Sequence, residues 1–451
     1  MAGRFDDYDG SGTQTRINWE RRFARSGVGA IISAWCGVDR RGFIVPGYAS
    51  IESDERIFFW RELGQRVHEH GCKYLLQLAH GGRQRDIGGI EFARGLSSTG
   101  KSDPLHGFPA ELATAEQLGQ IVSAFGAAAH RAREAGLDGV EIHGANGYLF
   151  TQFLSSAIND RDDEYGGSLE NRARLLLDTV RAIRQQVGDD FHVQVKISVR
   201  EDNDAFLFWL RDGNTVDESV QVCRWLEEAG ADAVHVSAGT TFPHPLNPAG
   251  DLPLRDVRDN YDGLISSGSA AFRNYVLYRL PVINRLMQKR WSRPRDEVEG
   301  MNLDESRAVK KAVSIPVLCT GGFQTASVVR QALADGDWDA IQRQGEHPVV
   351  YVALGAHANY FRPGRHRVPV GCKRVIGSIS RCIRGRKVLV DVANGQGRTM
   401  RLGRYELAEL IGQPFIGSYG TGNYVVLTRR PDVLSDPRTR TAWLDPLRGL
   451  R

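Results

Sequence analysis

The chain has 451 residues, of which 41% are hydrophobic and 25% charged, and its formal net charge is +4. This composition is typical of a globular protein with a sizeable core and argues against disorder. The small net charge gives no reason to expect nucleic acid as a partner, and no apolar run approaches the ~20 residues that cross a bilayer or resembles a signal peptide. We therefore expect a cytoplasmic protein without membrane or nucleic-acid partners, and we leave homo-oligomerisation open.

The cysteines give no sign of a metal centre or a disulfide framework. They form no Cys-x-x-Cys pair and follow no regular spacing, which argues against a zinc site, an iron-sulfur cluster and structural disulfides. The cysteines are Cys36, Cys72, Cys223, Cys319, Cys372 and Cys382. A reducing compartment fits this pattern best.

From about residue 20 to residue 341 the sequence repeats one unit, in which an amphipathic helix ends at a glycine and a short apolar run follows. The stretches AGLDGVEIHG, AGADAVHVSAG and DGDWDAI are examples. Glycine adopts the left-handed conformation that ends a helix, and a strand buried in a parallel sheet is apolar on both faces. The predicted strands span residues 29–38, 73–80, 139–144, 192–198, 233–239 and 316–322.

Helix starts and one buried helix face can also be located. Thr114 with Gln117, and Thr215 with Glu218, have the spacing of a capping box, which marks the first turn of a helix. A stripe of apolar residues with alternating steps of four and three predicts a helix that buries one side. Its members are Leu169, Ala173, Leu176, Val180, Ile183 and Val187.

Alternating strands and helices with short connections predict an α/β fold with parallel strands, either a closed eightfold (β/α)8 TIM barrel or an open doubly wound sheet. Polar residues follow several different strands, and no Gly-x-Gly-x-x-Gly turn follows the first one. Both features favour the barrel, whose active site is built from the carboxyl ends of many strands.

Two segments interrupt the repeat. Residues 240–300 form an insertion containing FRNYVLYRLPVINRLMQKRW, which is either a lid or partner-binding helix, or a helix packed over the barrel mouth with a solvated basic face. After about residue 342 the repeat gives way to short strand-like runs with a basic bias, including RCIRGRK. We predict a barrel domain over 1–341 and a β-rich basic domain over 347–451.

The end of the fourth predicted strand carries three polar side chains, His143, Asn146 and Tyr148. Two hydrogen-bond donors can hold a carbonyl oxygen and stabilise the charge that it gains when its conjugated double bond accepts a hydride. A nearby phenol can then protonate the carbon. Taken alone, the same residues also fit a loop hydrogen-bond network and a packed tyrosine.

The wider motif resembles the old yellow enzyme family of flavin-dependent oxidoreductases. Residues 143–174 contain HGANGYL, QFL, Asn159, Arg161, Asp163, YGGS and ENR in that order. The stretches LLQLAHGGRQ (75–84) and IPVLCTGGF (315–323) are similar to the third and seventh strand ends of that family. The resemblance covers about residues 3–341.

The resemblance implies a TIM barrel that binds FMN across its mouth, is reduced by NADH or NADPH, and passes hydride to an activated alkene or conjugated carbonyl. His143 and Asn146 would hold the acceptor carbonyl and Tyr148 would donate the proton. The flavin would be bound by Gln77 and Lys196 at its pyrimidine edge and by Gly321 and Gly322 at its phosphate. Four charged residues of the motif are expected to form structural ion pairs rather than to act in catalysis, namely Arg161, Asp163, Arg172 and Arg174. No iron-sulfur cluster is expected.

Two departures from the family pattern lead to further expectations. The family has a strand before the sequence GRFDDYDGSGTQ, where this chain has only two residues, so the first barrel strand is expected to be missing. After Asp339, Ala340 and Ile341 the Gly-Arg turn of the usual eighth strand is absent from the sequence, so that strand is also expected to be missing and the barrel to be incomplete. We hypothesise that PVVYVALG (348–355) takes the place of the eighth strand.

The C-terminal part resembles a fragment of a bacterial domain of unknown function, through HPVVYVALGAHANYF and GSYGTGNYVVL. The chain is therefore interpreted as a trimmed flavin barrel fused to that fragment. Metal binding by His347, His357 and His366 is disfavoured because no carboxylate or cysteine has a matching spacing. The alternative to an FMN-dependent oxidoreductase is a catalytically degenerate fusion protein with a binding or interaction role.

Overall fold

The computed structural model describes residues 6–7, 9–44, 47–85, 92, 94–104, 107–203, 211, 213–241, 254, 258, 269–292, 299–323, 326–341, 350–353, 390–393, 399–402 and 424–427. The chain divides into two compact units, Met1–Gln342 and Arg343–Arg451. Each unit is described by itself.

The first unit alternates strands and helices. Its strands are β1 (Ala30–Ile32), β2 (Cys36–Gly37), β3 (Ala49–Ser50), β4 (Lys73–Ala79), β5 (Gly95–Ser97), β6 (Ala110–Leu112), β7 (Gly139–Gly144), β8 (His192–Arg200), β9 (Ala233–Ala238), β10 (Val317–Cys319) and β11 (Ala340–Ile341). Its helices are α1 (Gln14–Ala24), α2 (Ile57–His68), α3 (Ala115–Glu134), α4 (Leu149–Leu154), α5 (Leu169–Val187), α6 (Val216–Glu228), α7 (Ser269–Leu277), α8 (Pro281–Trp291), α9 (Leu303–Lys310) and α10 (Ala326–Ala334). Short 3₁₀ turns lie at Arg40–Gly42 and Asp54–Arg56.

One parallel sheet organises this unit. Its strands follow the order β11-β10-β9-β8-β7-β4-β2-β3, with β1 also paired to β4. Strands β4, β7, β8, β9 and β10 lie side by side in chain order, as they do when each is joined to the next by a helical crossover. Five of the six predicted strands are confirmed, and the predicted strand over 29–38 is divided into β1 and β2. The order is that of a TIM barrel wall.

The local signals explain why the helices begin where they do. Thr114 and Thr215 are the N-cap residues of complete capping boxes, at the starts of α3 and α6 respectively. The predicted apolar stripe lies along α5, where all of its members except the half-buried Leu169 are buried in the large core. That core joins these helices to one face of the sheet, which includes Val140 and Ile142.

The far edge of the sheet corrects the expectation that the usual eighth strand is missing. Strand β11, which begins directly after Asp339, pairs in parallel with β10 through Ala340 and Ile341. Its start is therefore present, although it is only two residues long. Within the described residues, no strand pairing joins β11 to β1 or β3 at the other end of the path.

The second unit contains two antiparallel pairs among its described residues. Strand β12 (Val350–Ala353) pairs with β15 (Tyr424–Leu427), and β13 (Val390–Ala393) pairs with β14 (Thr399–Leu402). The hypothesis that 348–355 fills the eighth barrel position is wrong, because the described part of that segment pairs with a later strand of its own unit. The stretch RCIRGRK and the three late histidines lie outside the described residues.

Two further findings concern the cysteines of the first unit and the apolar character of the helices. Cys36, Cys72, Cys223 and Cys319 are buried free thiols. Within the described part of the chain, no helix combines the length and the apolar character needed to cross a lipid bilayer.

Candidate active site

Two rows of polar side chains run across the sheet on the face opposite Val140 and Ile142. Strand residues alternate between faces, so positions two apart share a face. In the first row, Gln77 of β4, Glu141 of β7 and Gln194 of β8 are neighbours in register. In the second row, one step closer to the carboxyl ends of the strands, the neighbours in register are His143, Lys196 and His235. All six side chains are buried.

Glu141 is the centre of the first row. Its Oε1 accepts a hydrogen bond of 2.6 Å from the Gln77 amide, and its Oε2 accepts one of 2.5 Å from the Gln194 amide. His235 Nδ1 lies 2.6 Å from Oε2. Burial by itself would raise the pKa of the Glu141 carboxyl, but His235, the charge of Lys196 and the Gln77 hydrogen bond together lower it to about 2. Glu141 is therefore an ionised carboxylate enclosed in the sheet.

An ionised carboxylate only accepts hydrogen bonds, so Glu141 determines how its neighbours are oriented. The Gln77 amide nitrogen must face Glu141, which leaves the Gln77 oxygen as an acceptor for another group. His235 must carry its proton on Nδ1, and its Nε2 then accepts from the Thr320 hydroxyl at 2.5 Å.

Lys196 and His143 lie side by side in the second row. Burial lowers the pKa of Lys196, and the Glu141 carboxylate opposes that shift by favouring the ammonium form. Burial also lowers the pKa of His143 to well below its ordinary value, and the charge of Lys196 lowers it further. His143 is therefore a neutral imidazole, and its Nδ1 accepts a hydrogen bond of 3.4 Å from the backbone of Ala145. Its Nε2 is then the protonated nitrogen and can donate.

Tyr148 packs against His143 and follows it by five residues. The two rings meet edge to face, with centroids 4.9 Å apart. Tyr148 is the N-cap residue of α4 and belongs to a small apolar cluster with Trp35, Phe43 and Ala79. Burial raises the pKa of the Tyr148 phenol to well above its ordinary value, so the group stays protonated and can act as a proton donor.

Asn146 links the ends of three strands. Its backbone has a φ of 59°, a left-handed conformation that asparagine tolerates better than most residues. Its backbone N–H donates to Oγ of Ser198, on β8, at 3.0 Å. Its side-chain amide donates to the carbonyl of Ala238, the last residue of β9, at 3.0 Å. Ser198 Oγ also donates to the Gly239 carbonyl at 2.6 Å. One amide hydrogen of Asn146 is thus used in positioning the loop, and the amide has a second.

Gln152 of α4 holds the loops after β4 and β7 together. Its Nε2 donates to the carbonyls of Gly147 at 2.8 Å and Gly81 at 3.2 Å, while its Oε1 accepts from the Arg83 backbone at 3.1 Å and from Ser97 Oγ at 2.9 Å. The side chain is fully buried. A buried amide with both of its polar atoms satisfied fixes the loop that carries Asn146 and Tyr148.

Gly321 and Gly322 follow β10, at the same end of the sheet. The Gly321 carbonyl accepts from Gly300 N–H at 2.8 Å, and Gly322 has a left-handed φ of 64°. Asn302 packs against Gly321 and donates to the Thr320 carbonyl at 2.5 Å. Among the described residues, no hydrogen bond joins either glycine to Gln77, Lys196 or the His143 loop. The structure therefore gathers the other predicted residues on β4, β7 and β8 and leaves the glycines on β10, two strands away from Lys196.

Three of the four charged residues of the long motif form ion pairs as predicted, whereas Arg174 is held by hydrogen bonds. Arg161 forms an ion pair with Asp163 and donates to the Ala113 carbonyl at 2.7 Å. Arg172 is paired with Glu218 at 3.0 Å, and Arg174 donates to the Glu164 carbonyl at 2.7 Å. The contacts of Arg161 and Arg174 fasten the loop between α4 and α5, and the Arg172 pair joins α5 to α6.

Sequence reasoning missed Glu141, Gln194, His235 and Thr320. The signal that could have found the first three is their alternation with valine and isoleucine in strands otherwise apolar on both faces. Glu141 and Gln194 each lie two residues before a predicted site residue and so share its face. Their contacts with one another depend on strand register, which the alternation does not reveal.

A family profile and individual relatives both match this chain, and they point to the same family of proteins. Residues 3–246 match the sequence profile described as the NADH:flavin oxidoreductase / NADH oxidase family. An NADH oxidase of Thermoanaerobacter brockii is 37% identical over 256 residues, which are 55% of this chain and 38% of that protein. An NADPH dehydrogenase of Halalkalibacterium halodurans is 34% identical over 275 residues, which are 59% of this chain and 77% of that protein.

Two solved structures share the fold. An old yellow enzyme homologue from Zymomonas mobilis has a TM-score of 0.53 and 21% identity, over 75% of this chain and 81% of that one. A 2-naphthoyl-CoA reductase in complex with 2-naphthoyl-CoA has a TM-score of 0.60 and 22% identity, over 76% of this chain and 46% of that one. At these identities the likeness concerns the barrel fold alone.

Replacing Glu141 with Gln should change how stability depends on pH. The pKa of the Glu141 carboxyl is about 2 in the folded protein and near 4.5 when it is unperturbed. The ionised carboxylate therefore stabilises the fold above pH 4.5, and this stabilisation is lost as the pH falls from 4.5 towards 2. We expect Glu141→Gln to be less stable than the wild type at neutral pH and to approach it in acid, as measured by urea midpoints across this range.

The matched control is Glu62→Gln, at an exposed position on α2. Its midpoint should differ little from that of the wild type at every pH. A Glu141→Gln deficit that stays constant from pH 7 to pH 2.5 would show that the carboxylate charge does not stabilise the fold.

Gly147→Ala should disrupt the loop that carries Asn146 and Tyr148. Gly147 has a φ of 80°, and an added Cβ would overlap the carbonyl oxygen of Thr240. An L-residue is strained in this conformation, and the clash with backbone leaves no room to relax. We expect a lower melting temperature for Gly147→Ala. Gly119→Ala, in α3 with open space around it, should instead leave the melting temperature unchanged or raise it. Equal effects of the two substitutions would contradict the close approach.

Proposed function

Since the chain belongs to the NADH:flavin oxidoreductase / NADH oxidase family, which is the old yellow enzyme family, we propose that it is an FMN-dependent enzyme of the ene-reductase type. In this proposal it takes a hydride from NADH or NADPH and delivers it to an activated alkene conjugated to a carbonyl. One observation supports this proposal most. At the end of β7, the neutral His143 ring meets the ring of the protonated Tyr148 edge to face.

The buried polar rows fit the pyrimidine edge of a flavin. That edge carries both N–H donors and carbonyl acceptors, and the Gln77 oxygen and the Lys196 ammonium supply the complementary acceptor and donor. Lys196 would also supply the positive charge that stabilises an anionic reduced flavin. When bound, the flavin supplies the hydride chemistry, and the protein residues bind and orient it. Gly321 and Gly322 would expose backbone N–H groups to the phosphate ahead of α10.

The acceptor site follows from the protonation states. His143, with its proton on Nε2, donates without carrying a charge, and the second amide hydrogen of Asn146 is a further donor. Two such donors stabilise a carbonyl oxygen that gains negative charge. Tyr148 can then transfer its phenolic proton to the neighbouring carbon. Because the phenol is buried against Trp35 and Phe43, water has poor access to it.

We also propose that residues 1–341 are the catalytic domain, that 240–300 form an insertion within it, and that 347–451 form a separate basic domain. The division of the chain into Met1–Gln342 and Arg343–Arg451 supports the boundary.

FMN binding and His143 can be tested with the purified full chain. We expect visible flavin absorption that is bleached by NADH or NADPH in the absence of oxygen and restored by 2-cyclohexenone. Lys196→Met should weaken FMN binding about tenfold, because a charged hydrogen bond is lost. His143→Ala should retain FMN but slow reoxidation by the enone about 10²- to 10³-fold. Stopped-flow absorbance measures both effects.

His130→Ala, at an exposed position on α3, is the control for His143. It should leave FMN binding and enone reduction unchanged. A protein that stays colourless after incubation with FMN would refute the cofactor, whereas full enone reduction by His143→Ala would refute only the assigned site. The first result would favour the alternative of a fusion protein with a binding role.

Tyr148→Phe should separate proton donation from electron transfer. Loss of the general acid should slow enone reduction about 10²- to 10⁴-fold. Reduction of ferricyanide, which needs no proton on carbon, should proceed at the wild-type rate. Tyr165→Phe, in the loop before α5, should affect neither rate. Equal slowing of both acceptors by Tyr148→Phe would indicate a role in flavin binding instead of proton donation.

A further inference from the structure

Helices α7 and α8, in the insertion between β9 and α9, have an inverted burial pattern. Their asparagines Asn274 and Asn284 are buried, at 5% and 6% exposure. Several of their large apolar residues project outward instead. A helix that only packs onto a barrel buries its apolar stripe and exposes its polar residues. Packing against the described residues of the first unit therefore does not explain the outward face of this pair.

The outward apolar residues form continuous stripes. On α7 and just after it, Phe272, Val276 and Leu280 recur at steps of four, and on α8 Val282 and Leu286 do the same. Residues four apart lie on one helix face. The exposed fractions include 67% for Val282, 61% for Leu286 and 54% for Phe272, so these side chains protrude rather than line a groove. We call this set the α7–α8 face.

Cationic side chains share the α7–α8 face. Arg285 and Lys289 are exposed and lie three residues after Val282 and Leu286, respectively, on the same side of α8. The segment 269–291 contains five arginines and lysines and no aspartate or glutamate, whereas the chain as a whole is nearly balanced, with 58 basic and 54 acidic residues. A surface with this charge repels a second copy of itself and is complementary to an anionic partner.

Exposed apolar side chains next to basic ones are typical of helices that lie at a membrane–water interface. Protruding aliphatic and aromatic side chains enter the boundary between lipid headgroups and acyl chains, while arginine and lysine beside them contact anionic headgroups. The centre of a protein–protein interface is instead depleted in lysine and other charged residues. A peripheral contact of this kind requires no membrane-spanning helix.

We propose that the α7–α8 face docks on an anionic lipid surface. The proposal does not depend on the flavin chemistry, because it concerns an exposed face outside the predicted site residues. It departs from the sequence-based expectation that the protein has no membrane partner. An acidic protein partner is the competing occupant.

Cosedimentation of the full chain with vesicles tests the proposal. Vesicles of phosphatidylcholine that contain about 30% phosphatidylglycerol have a clearly anionic surface. They should bind at least about tenfold more protein than vesicles of pure phosphatidylcholine, since several cations contribute to binding. Binding should fall as salt is raised. Val282→Glu with Leu286→Glu should abolish it. Arg285→Gln with Lys289→Gln should reduce it about tenfold without altering the apolar stripe.

Phe58→Glu is the matched control, at an apolar position of 75% exposure on α2. It should bind vesicles like the wild type, and circular dichroism should show that all variants are folded. The proposal is overturned if the wild type does not bind anionic vesicles, if it binds both vesicle types equally, or if Phe58→Glu loses binding as the α8 variants do. Failure to bind vesicles would leave an acidic protein as the occupant to be sought.

Discussion

The candidate site depends on one buried charge, the carboxylate of Glu141. An isolated carboxylate in a protein interior is strongly unfavourable, so it persists only where donors and opposite charge surround it. Here the amides of Gln77 and Gln194 and the imidazole of His235 contact it, and Lys196 balances its charge. Because the carboxylate can only accept, each neighbour has one allowed orientation. The ordered acceptor on Gln77 and the cation of Lys196 are thus consequences of Glu141.

Hydrogen bonds between strand ends position the loops above this layer. The Ser198 hydroxyl accepts a hydrogen bond from the Asn146 backbone N–H and donates one to the Gly239 carbonyl. These two hydrogen bonds connect the ends of β7, β8 and β9. Gln152 connects the loop after β7 to the loop after β4. A rigid connection matters here, because a displacement of about 1 Å at a reacting group can cost on the order of 10²-fold in rate.

Much of the first unit could be predicted because its signals are local. A glycine after a helix, a capping box at Thr114 and an apolar stripe along α5 each report on their own neighbourhood, and all three agree with the fold. The roles of Glu141 and His235 depend instead on register between strands 94 residues apart. The placement of 348–355 failed for the same reason, since the apolar character of a strand does not specify its partner, and Val350–Ala353 pairs with Tyr424–Leu427.

The contrast between α5 and the α7–α8 pair shows what pattern alone leaves undecided. Both segments have apolar residues at helical spacing. Only α5 has a sheet face opposite its stripe, so it gains roughly 25 cal/mol for each Å² of apolar surface that it buries. The α7–α8 pair turns buried asparagines towards the unit and leaves Val282 and Leu286 in water, where that gain is forgone. The gain becomes available when an apolar boundary with negative charge approaches, because Arg285 and Lys289 then find anions as the aliphatic side chains leave water.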